Sequence, residues 1–216
     1  MRDAVKNHPK ILPLSVPPAP NPAGSPRALC LTCQRPVKAC ICQWVRPVAN
    51  RVELLLLQHP LEQDHAKGTA SLLQLSLQHC RVWVGETFDA QALAQALATT
   101  EAGSTWLLYI EDRPHISAGL MAAPPCRRLV VLDATWRKSR KMLLLNPLLQ
   151  SLPRLALPDP PPSRYSVRKA HKSHQLSTLE ASVLGLQQLE GPSPAYADLL
   201  AGFDGFVAQQ ALRFQP

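Results

Sequence analysis

From residue 51 onward, short apolar runs alternate with longer stretches whose apolar residues recur at helical spacing. The runs Arg51–Leu57, Arg81–Val84, Thr105–Ile110, Arg128–Leu132 and Arg154–Leu157 are continuous, the pattern of strands covered on both faces. Gly68–Gln78, Ala90–Ala98, Trp136–Leu145, Thr178–Leu189 and Tyr196–Ala211 carry the helical period. This alternation predicts an α/β fold, a mostly parallel sheet flanked by crossover helices. Ser177-Thr178-Leu179-Glu180 reads as a capping box that opens the penultimate helix.

Upstream of that pattern the chain changes character. Residues 1–26 hold seven of the 22 prolines and no apolar period, which predicts a flexible tail. A small knuckle follows over 27–47, and the α/β domain occupies 48–216. Within the knuckle, Cys30, Cys33, Cys40 and Cys42 form a C-x2-C-x6-C-x-C pattern. Two close thiol pairs in a reducing compartment point to a closed, tetrahedral structural zinc site. A redox C-x-x-C would open a helix after a strand, whereas this loop contains Pro36 and has no strand before it. Cys80 and Cys126 stand alone beside apolar strands and read as small buried hydrophobes.

The 216 residues suffice for one sizeable core plus a small appendage, and 46% hydrophobic with 18% charged residues describes a globular protein. No segment approaches the ~20 apolar residues of a membrane span. Ile11 to Val16 is broken by Pro13 and followed by prolines rather than a cleavage site, so a cytoplasmic protein is expected. The net charge of +8 is concentrated: residues 127–174 hold eleven Lys and Arg against two acids, and the remainder twelve against thirteen. A basic block of this kind favours a nucleic-acid partner over a merely solvated face.

Inside that block, Val130-Val131-Leu132-Asp133-Ala134-Thr135-Trp136 ends a strand on a carboxylate and begins a basic helix. Open α/β sheets bind ligands beyond the carboxyl ends of their strands. Asp133, Thr135 and Trp136 are therefore the candidate catalytic residues. Each also has a plain role: Asp133 or Thr135 as a helix cap, Trp136 as core. Cofactor-binding candidates are Leu108, Tyr109 and Ile110 at the end of the third strand, Leu132 and Asp133 at the fourth, and Ser177 and Thr178 at a helix start. RNA-binding candidates are His59, Arg137, Lys138, Arg140, Lys141, Tyr165, Arg168, Lys169 and Lys172, with Arg164 as a further phosphate contact. His59 precedes Pro60, so it could equally be a turn residue. Tyr165 sits in a proline-stiffened loop and is a candidate to stack on a flipped-out base. No G-x-G-x-x-G, P-loop, G-x-S-x-G or H-E-x-x-H occurs, which argues against dinucleotide enzymes, P-loop NTPases, α/β-hydrolases and zincins.

Taken together these motifs resemble the bacterial DTW-domain family of tRNA-uridine aminocarboxypropyltransferases. Asp133-Ala134-Thr135-Trp136 and Met142 are similar to its D-x-T-W motif, with Ser139 where the family often has alanine. Gln58-His59-Pro60-x-Glu62, Tyr165-x-x-Arg168-Lys169, Ser177-Thr178-Leu179-Glu180-Ala181 and the cysteine knuckle resemble the other four, in order, from Leu29 to about Ala211. The resemblance implies a SPOUT-like fold with a C-terminal knot and S-adenosylmethionine as donor. It also implies 3-(3-amino-3-carboxypropyl)uridine in tRNA as product, with Asp133 accepting the uracil N3 proton. A free Asp titrates near 3.9, several units below uracil N3, so burial must raise it or transfer must be concerted with attack. An S-adenosylmethionine-dependent RNA methyltransferase and a non-catalytic zinc-containing RNA-binding protein remain the alternatives.

Overall fold

The computed structural model describes residues 28–63, 65, 67–98, 104–109, 125–165 and 176–213. The expected tail over 1–26, and the candidates Ile110, Arg168, Lys169 and Lys172, lie outside them. The chain separates into two compact units, 1–42 and 43–216.

In the second unit, β1 (Glu53–Gln58), β2 (Cys80–Val84), β3 (Thr105–Leu108), β4 (Arg128–Asp133) and β5 (Arg154–Leu155) form one sheet in the order β2-β1-β4-β3-β5. Every neighbouring pair is parallel. Its helices are α1 (Ala70–Ser76), α2 (Ala90–Leu97), α3 (Trp136–Leu145), α4 (Pro147–Gln150), α5 (Thr178–Glu190) and α6 (Pro194–Arg213). The expected α/β architecture and parallel sheet are present. β4 runs one residue further than expected and includes Asp133, because Gln58 at the end of β1 pairs with it in register. The short helix α4 was not anticipated; Pro147 stands at its first position, where a missing N–H costs nothing.

Burial explains the continuous apolar runs. Leu54, Leu55, Leu56 and Leu57 have no exposed surface, because helices cover both sides of β1. Alternation sends Leu55, Leu57, Leu107, Val130 and Leu132 to the face where Leu93 of α2, Met142 and Leu143 of α3 and Leu149 of α4 complete one core. The opposite face carries Leu108, Leu129 and Leu155 against α5. A side chain at Gly185 there would come within 3.0 Å of Leu129, so glycine lets α5 approach the sheet.

These two faces locate the site. The chain leaves β1 for α1, which packs with β2 and α5, but leaves β4 for α3, on the other face. Right-handed crossovers demand that division, because β2 and β5 lie on opposite sides of the β1–β4 pair. The chain leaves β1 and β4 toward opposite faces, which makes their carboxyl ends the switch point at which open α/β sheets bind ligands. Gln58, His59 and Asp133 stand at that switch point. Two lone thiols serve the frame: burial pushes both Cys80 and Cys126 up to about 12, as inert interior groups require.

Candidate functional site

Asp133 closes β4 with only 7% of its surface exposed. Its carboxylate turns to the α5 side of the sheet, where Oδ2 accepts from Gln58 Nε2 at 2.7 Å and Oδ1 from Thr178 Oγ1 at 2.6 Å. The His59 N–H also donates to the Asp133 carbonyl at 3.0 Å, closing the β1–β4 rim. The carboxylate is thus bound by two neutral donors from different strand and helix ends, which fixes its orientation.

The helix-cap role weighed for Asp133 does not hold. Thr135 is the N-cap of α3, and its side chain makes no cap bond; only its carbonyl is engaged, by Ser139 N at 2.8 Å. Trp136, first residue of α3, is not core either: it is 46% exposed, and its ring meets Tyr109 edge-on at 6.5 Å. Leu108, Tyr109 and Leu132 lie at the carboxyl ends of β3 and β4 as expected, all nearly buried. Tyr109 shares the face of Leu107, so this aromatic pair lies on the side of the sheet away from the Asp133 carboxylate.

At the start of α5 the roles differ from those expected. The capping box is present: Ser177 Oγ accepts from Glu180 N at 3.2 Å, and Glu180 Oε2 accepts from Ser177 N at 2.8 Å. Leu179 N donates to Thr69 Oγ1 at 3.3 Å. Ser177 and two of the helix's first N–H groups are thereby committed inside the chain, and Thr178 serves Asp133. A donor carboxylate bound by this helix start would have to displace them. Glu180, 3% exposed, also accepts from Ser163 Oγ and Arg164 N, tying the proline-rich loop to α5.

The RNA-contact candidates divide. Arg137, Arg140 and Lys141 are exposed on α3. Lys138 pairs with Glu62 at 3.0 Å and Lys141 with Glu86 at 2.8 Å, so both lysines also bind α3 to neighbouring loops. Lys141, then His59, holds Glu86 below its usual value despite the opposing effect of desolvation. His59 is 7% exposed; its Nδ1 accepts from Leu61 N at 3.1 Å, which leaves Nε2 to donate to Glu86 at 3.2 Å. Tyr165 is 5% exposed, its ring against Phe203 and its hydroxyl donating to the Lys67 carbonyl. Burial makes both residues parts of the frame, with no ring face presented to a base. Arg128 belongs to the opposite, amino-terminal end of the strands, on Glu53 at 2.8 Å, and Arg164 pairs with Asp204 at 2.8 Å. The basic block is thus only partly a surface.

Sequence reading missed Gln58, Glu62 and Glu86 as partners. Gln58 was visible as the residue before His59-Pro60, but nothing in spacing announces a partner 75 residues away.

In the first unit, Cys30 Sγ lies 3.6 Å from Cys42 Sγ, and Cys33 Sγ 3.8 Å from Cys40 Sγ. All four sulfurs fall within 4.8 Å of one another. The turn is closed by Cys30 N on the Arg35 carbonyl at 2.7 Å and by Gln34, whose φ of 55° reverses the chain. Desolvation pushes the Cys30 thiol up, but the N–H groups of Cys33 and Thr32 and the Cys40 and Cys42 side chains together outweigh it and hold it at about 6.

The DTW domain model matches residues 27–211. Two relatives named tRNA-uridine aminocarboxypropyltransferase 2 match over 76% of this chain: that of Mus musculus is 27% identical, with 57% of its own length covered, and that of Drosophila melanogaster is 31% identical, with 67% covered. The tRNA-uridine aminocarboxypropyltransferase A of Arabidopsis thaliana is 25% identical over 54% of the chain and 50% of its own length. The chain thus spans a little over half the length of the first of these relatives. No solved structure matches it.

Proposed function

The chain belongs to the DTW-domain family, and from that premise we propose that it is a tRNA-uridine aminocarboxypropyltransferase. It transfers the 3-amino-3-carboxypropyl group of S-adenosylmethionine to N3 of a tRNA uridine, in the variable loop, and releases methylthioadenosine. The observation that carries this reading is the buried Asp133 carboxylate at the β1–β4 switch point, oriented by Gln58 and Thr178. A non-catalytic RNA-binding protein has no use for such a group.

The donor fits the rim. Trp136, 46% exposed at the start of α3, offers a π-face suited to a planar purine or a cationic sulfonium. When bound, the sulfonium activates each of its carbon substituents toward attack, and the walls decide which carbon is exposed. Asp133 takes the uracil N3 proton as the N–C bond forms, while Gln58 and Thr178 hold its orientation. Thr135 closes the strand-to-helix turn beside it, and Trp136 stacks on the base. Arg137 and Arg140, with Arg168, Lys169 and Lys172, supply phosphate contacts.

The four cysteines suit zinc: a tetrahedron with ~2.3 Å Zn–S bonds separates its sulfurs by about 3.8 Å. Such a site braces its own small unit, and metal analysis finding one zinc per chain is the check. We further infer a SPOUT-like knot. Its support is the return of the chain from the edge strand β5 to α5, which packs over β4. Among the described residues no helix is long and apolar enough to cross a membrane, consistent with action on cytoplasmic tRNA.

The test is to incubate the purified chain with tRNA and S-adenosylmethionine and identify both products by mass spectrometry. Aminocarboxypropyluridine and methylthioadenosine in equal amounts are expected. S-adenosylhomocysteine with a methylated base would replace the proposal by methyl transfer, and RNA binding without donor consumption would leave only a binding protein.

A further inference from the structure

β5 pairs with β3 through Leu107–Arg154 and Leu108–Leu155, so Arg154 shares the face of Leu107 and Tyr109. Tyr109 lies two residues, roughly 6.6 Å, nearer the carboxyl rim. The Arg154 guanidinium climbs that distance and lies over the Tyr109 ring, 5.3 Å from its centroid. Tyr109 meets Trp136, so the three side chains run as a line from β5 to the start of α3.

One end of that guanidinium is unmatched. Arg154 Nη1 is sealed from solvent and has no hydrogen-bond partner among the described residues. Arg81 and Arg128 share Glu53, and Arg164 has Asp204. A guanidinium keeps its charge, and buried charges in proteins are paired or hold a ligand. The π-face of Tyr109 compensates part of the charge but accepts no hydrogen bond in the guanidinium plane.

We propose that Arg154 is the anion-binding residue of the donor site and grips the α-carboxylate of the donor's amino-acid arm. This rests on the function proposed above and adds a residue that none of the recognisable motifs contains. A carboxylate is planar and matches the guanidinium fork with two parallel hydrogen bonds. The hold has a chemical consequence. Arm transfer requires the arm to be fixed with its sulfur-bound carbon toward the uracil, and anchoring its far end is the direct way to achieve that.

The experiment compares wild type, Arg154→Gln and Arg154→Lys by calorimetry with three probes. These are S-adenosylmethionine, its decarboxylated analogue, and methylthioadenosine, which lacks the whole arm. Wild type should bind the carboxylated donor at least tenfold more tightly than the decarboxylated one. Arg154→Gln should abolish that preference while methylthioadenosine affinity, a control for the folded site, stays unchanged. If Arg154→Gln does not fold, Arg154→Lys gives the readout, with a severalfold smaller preference because a point charge replaces the fork. A preference that survives in these variants overturns the proposal. Loss of tRNA affinity with a shallower salt dependence, donor preference being intact, would assign Nη1 to phosphate and overturn it equally. If wild type transfers the arm yet shows no preference, Arg154 alone is refuted. If wild type binds no donor even with tRNA, the functional reading falls and the proposal with it.

Discussion

Two helices begin at the rim of this sheet, and they begin in opposite ways. α5 opens on a closed set of bonds: Ser177 and Glu180 cap one another, Thr69 takes a further N–H, and buried Glu180 also binds the loop at Ser163 and Arg164. α3 opens on Thr135, whose hydroxyl caps nothing, and on Trp136, a large side chain left 46% exposed. A helix start that satisfies its own polar groups is a clamp. One that leaves an aromatic side chain exposed and its cap hydroxyl without a cap bond is the start we assign to the ligand. Thr178 connects the two, since the first residue of the clamp hydrogen-bonds the acid at the other start.

If that division is right, the largest effect on turnover comes from the open start. Asp133→Asn keeps the shape and removes the proton acceptor. Single-turnover formation of methylthioadenosine should fall about 10³-fold, in the range expected for loss of a general base. Thermal melting should change little, because no cap is lost. Near-normal turnover would make Asp133 a strand-end linker and erase the contrast.

The clamp should answer in stability instead. Glu180→Ala strands Ser177 N, Arg164 N and Ser163 Oγ around a cavity at a residue only 3% exposed. A loss of about 3 kcal/mol is expected, measured by urea denaturation at constant slope. Donor binding by the folded fraction should persist. Stability within error of wild type would show that the two starts are not specialised in this way.

The sequence made the open start legible but not the contacts of the residues around it. α3 runs from Trp136 to Leu145 as its period predicts, and the capping box at Ser177 was readable because both members lie within four residues. Side-chain partners from distant segments were not readable. Lys138 and Lys141 look like free phosphate contacts until Glu62 and Glu86, 76 and 55 residues away, are folded against them. Tyr165 has the composition of a stacking platform, yet its loop packs it against Phe203. His59 is likewise absorbed by Glu86 and its own turn. Strand order was beyond reach for the same reason. Alternation implies parallel pairing, but only the folded core shows that β4 inserts between β1 and β3 and carries Asp133 to Gln58.

The smallest effect concerns how α3 is held, since it has no side-chain cap. The tethers near its start are the Lys138–Glu62 and Lys141–Glu86 pairs, electrostatic and partly exposed, while buried Asn146 hydrogen-bonds its far end to Glu86 and Phe88. The Lys141 ammonium, hydrogen-bonded to Glu86, holds its carboxyl below the usual glutamate range. A carboxylate lowered by folding stabilises the native state above its unfolded value, and that contribution is lost as pH falls through the folded one. Glu86→Gln should therefore melt slightly below wild type at neutral pH, and the gap should close as pH falls below about 4.5. Raising salt at neutral pH should narrow it too, because exposed pairs are screened. A gap that is independent of both pH and salt would mean that α3 is fixed by packing alone, and the two helix starts would then differ in chemistry but not in how they are secured.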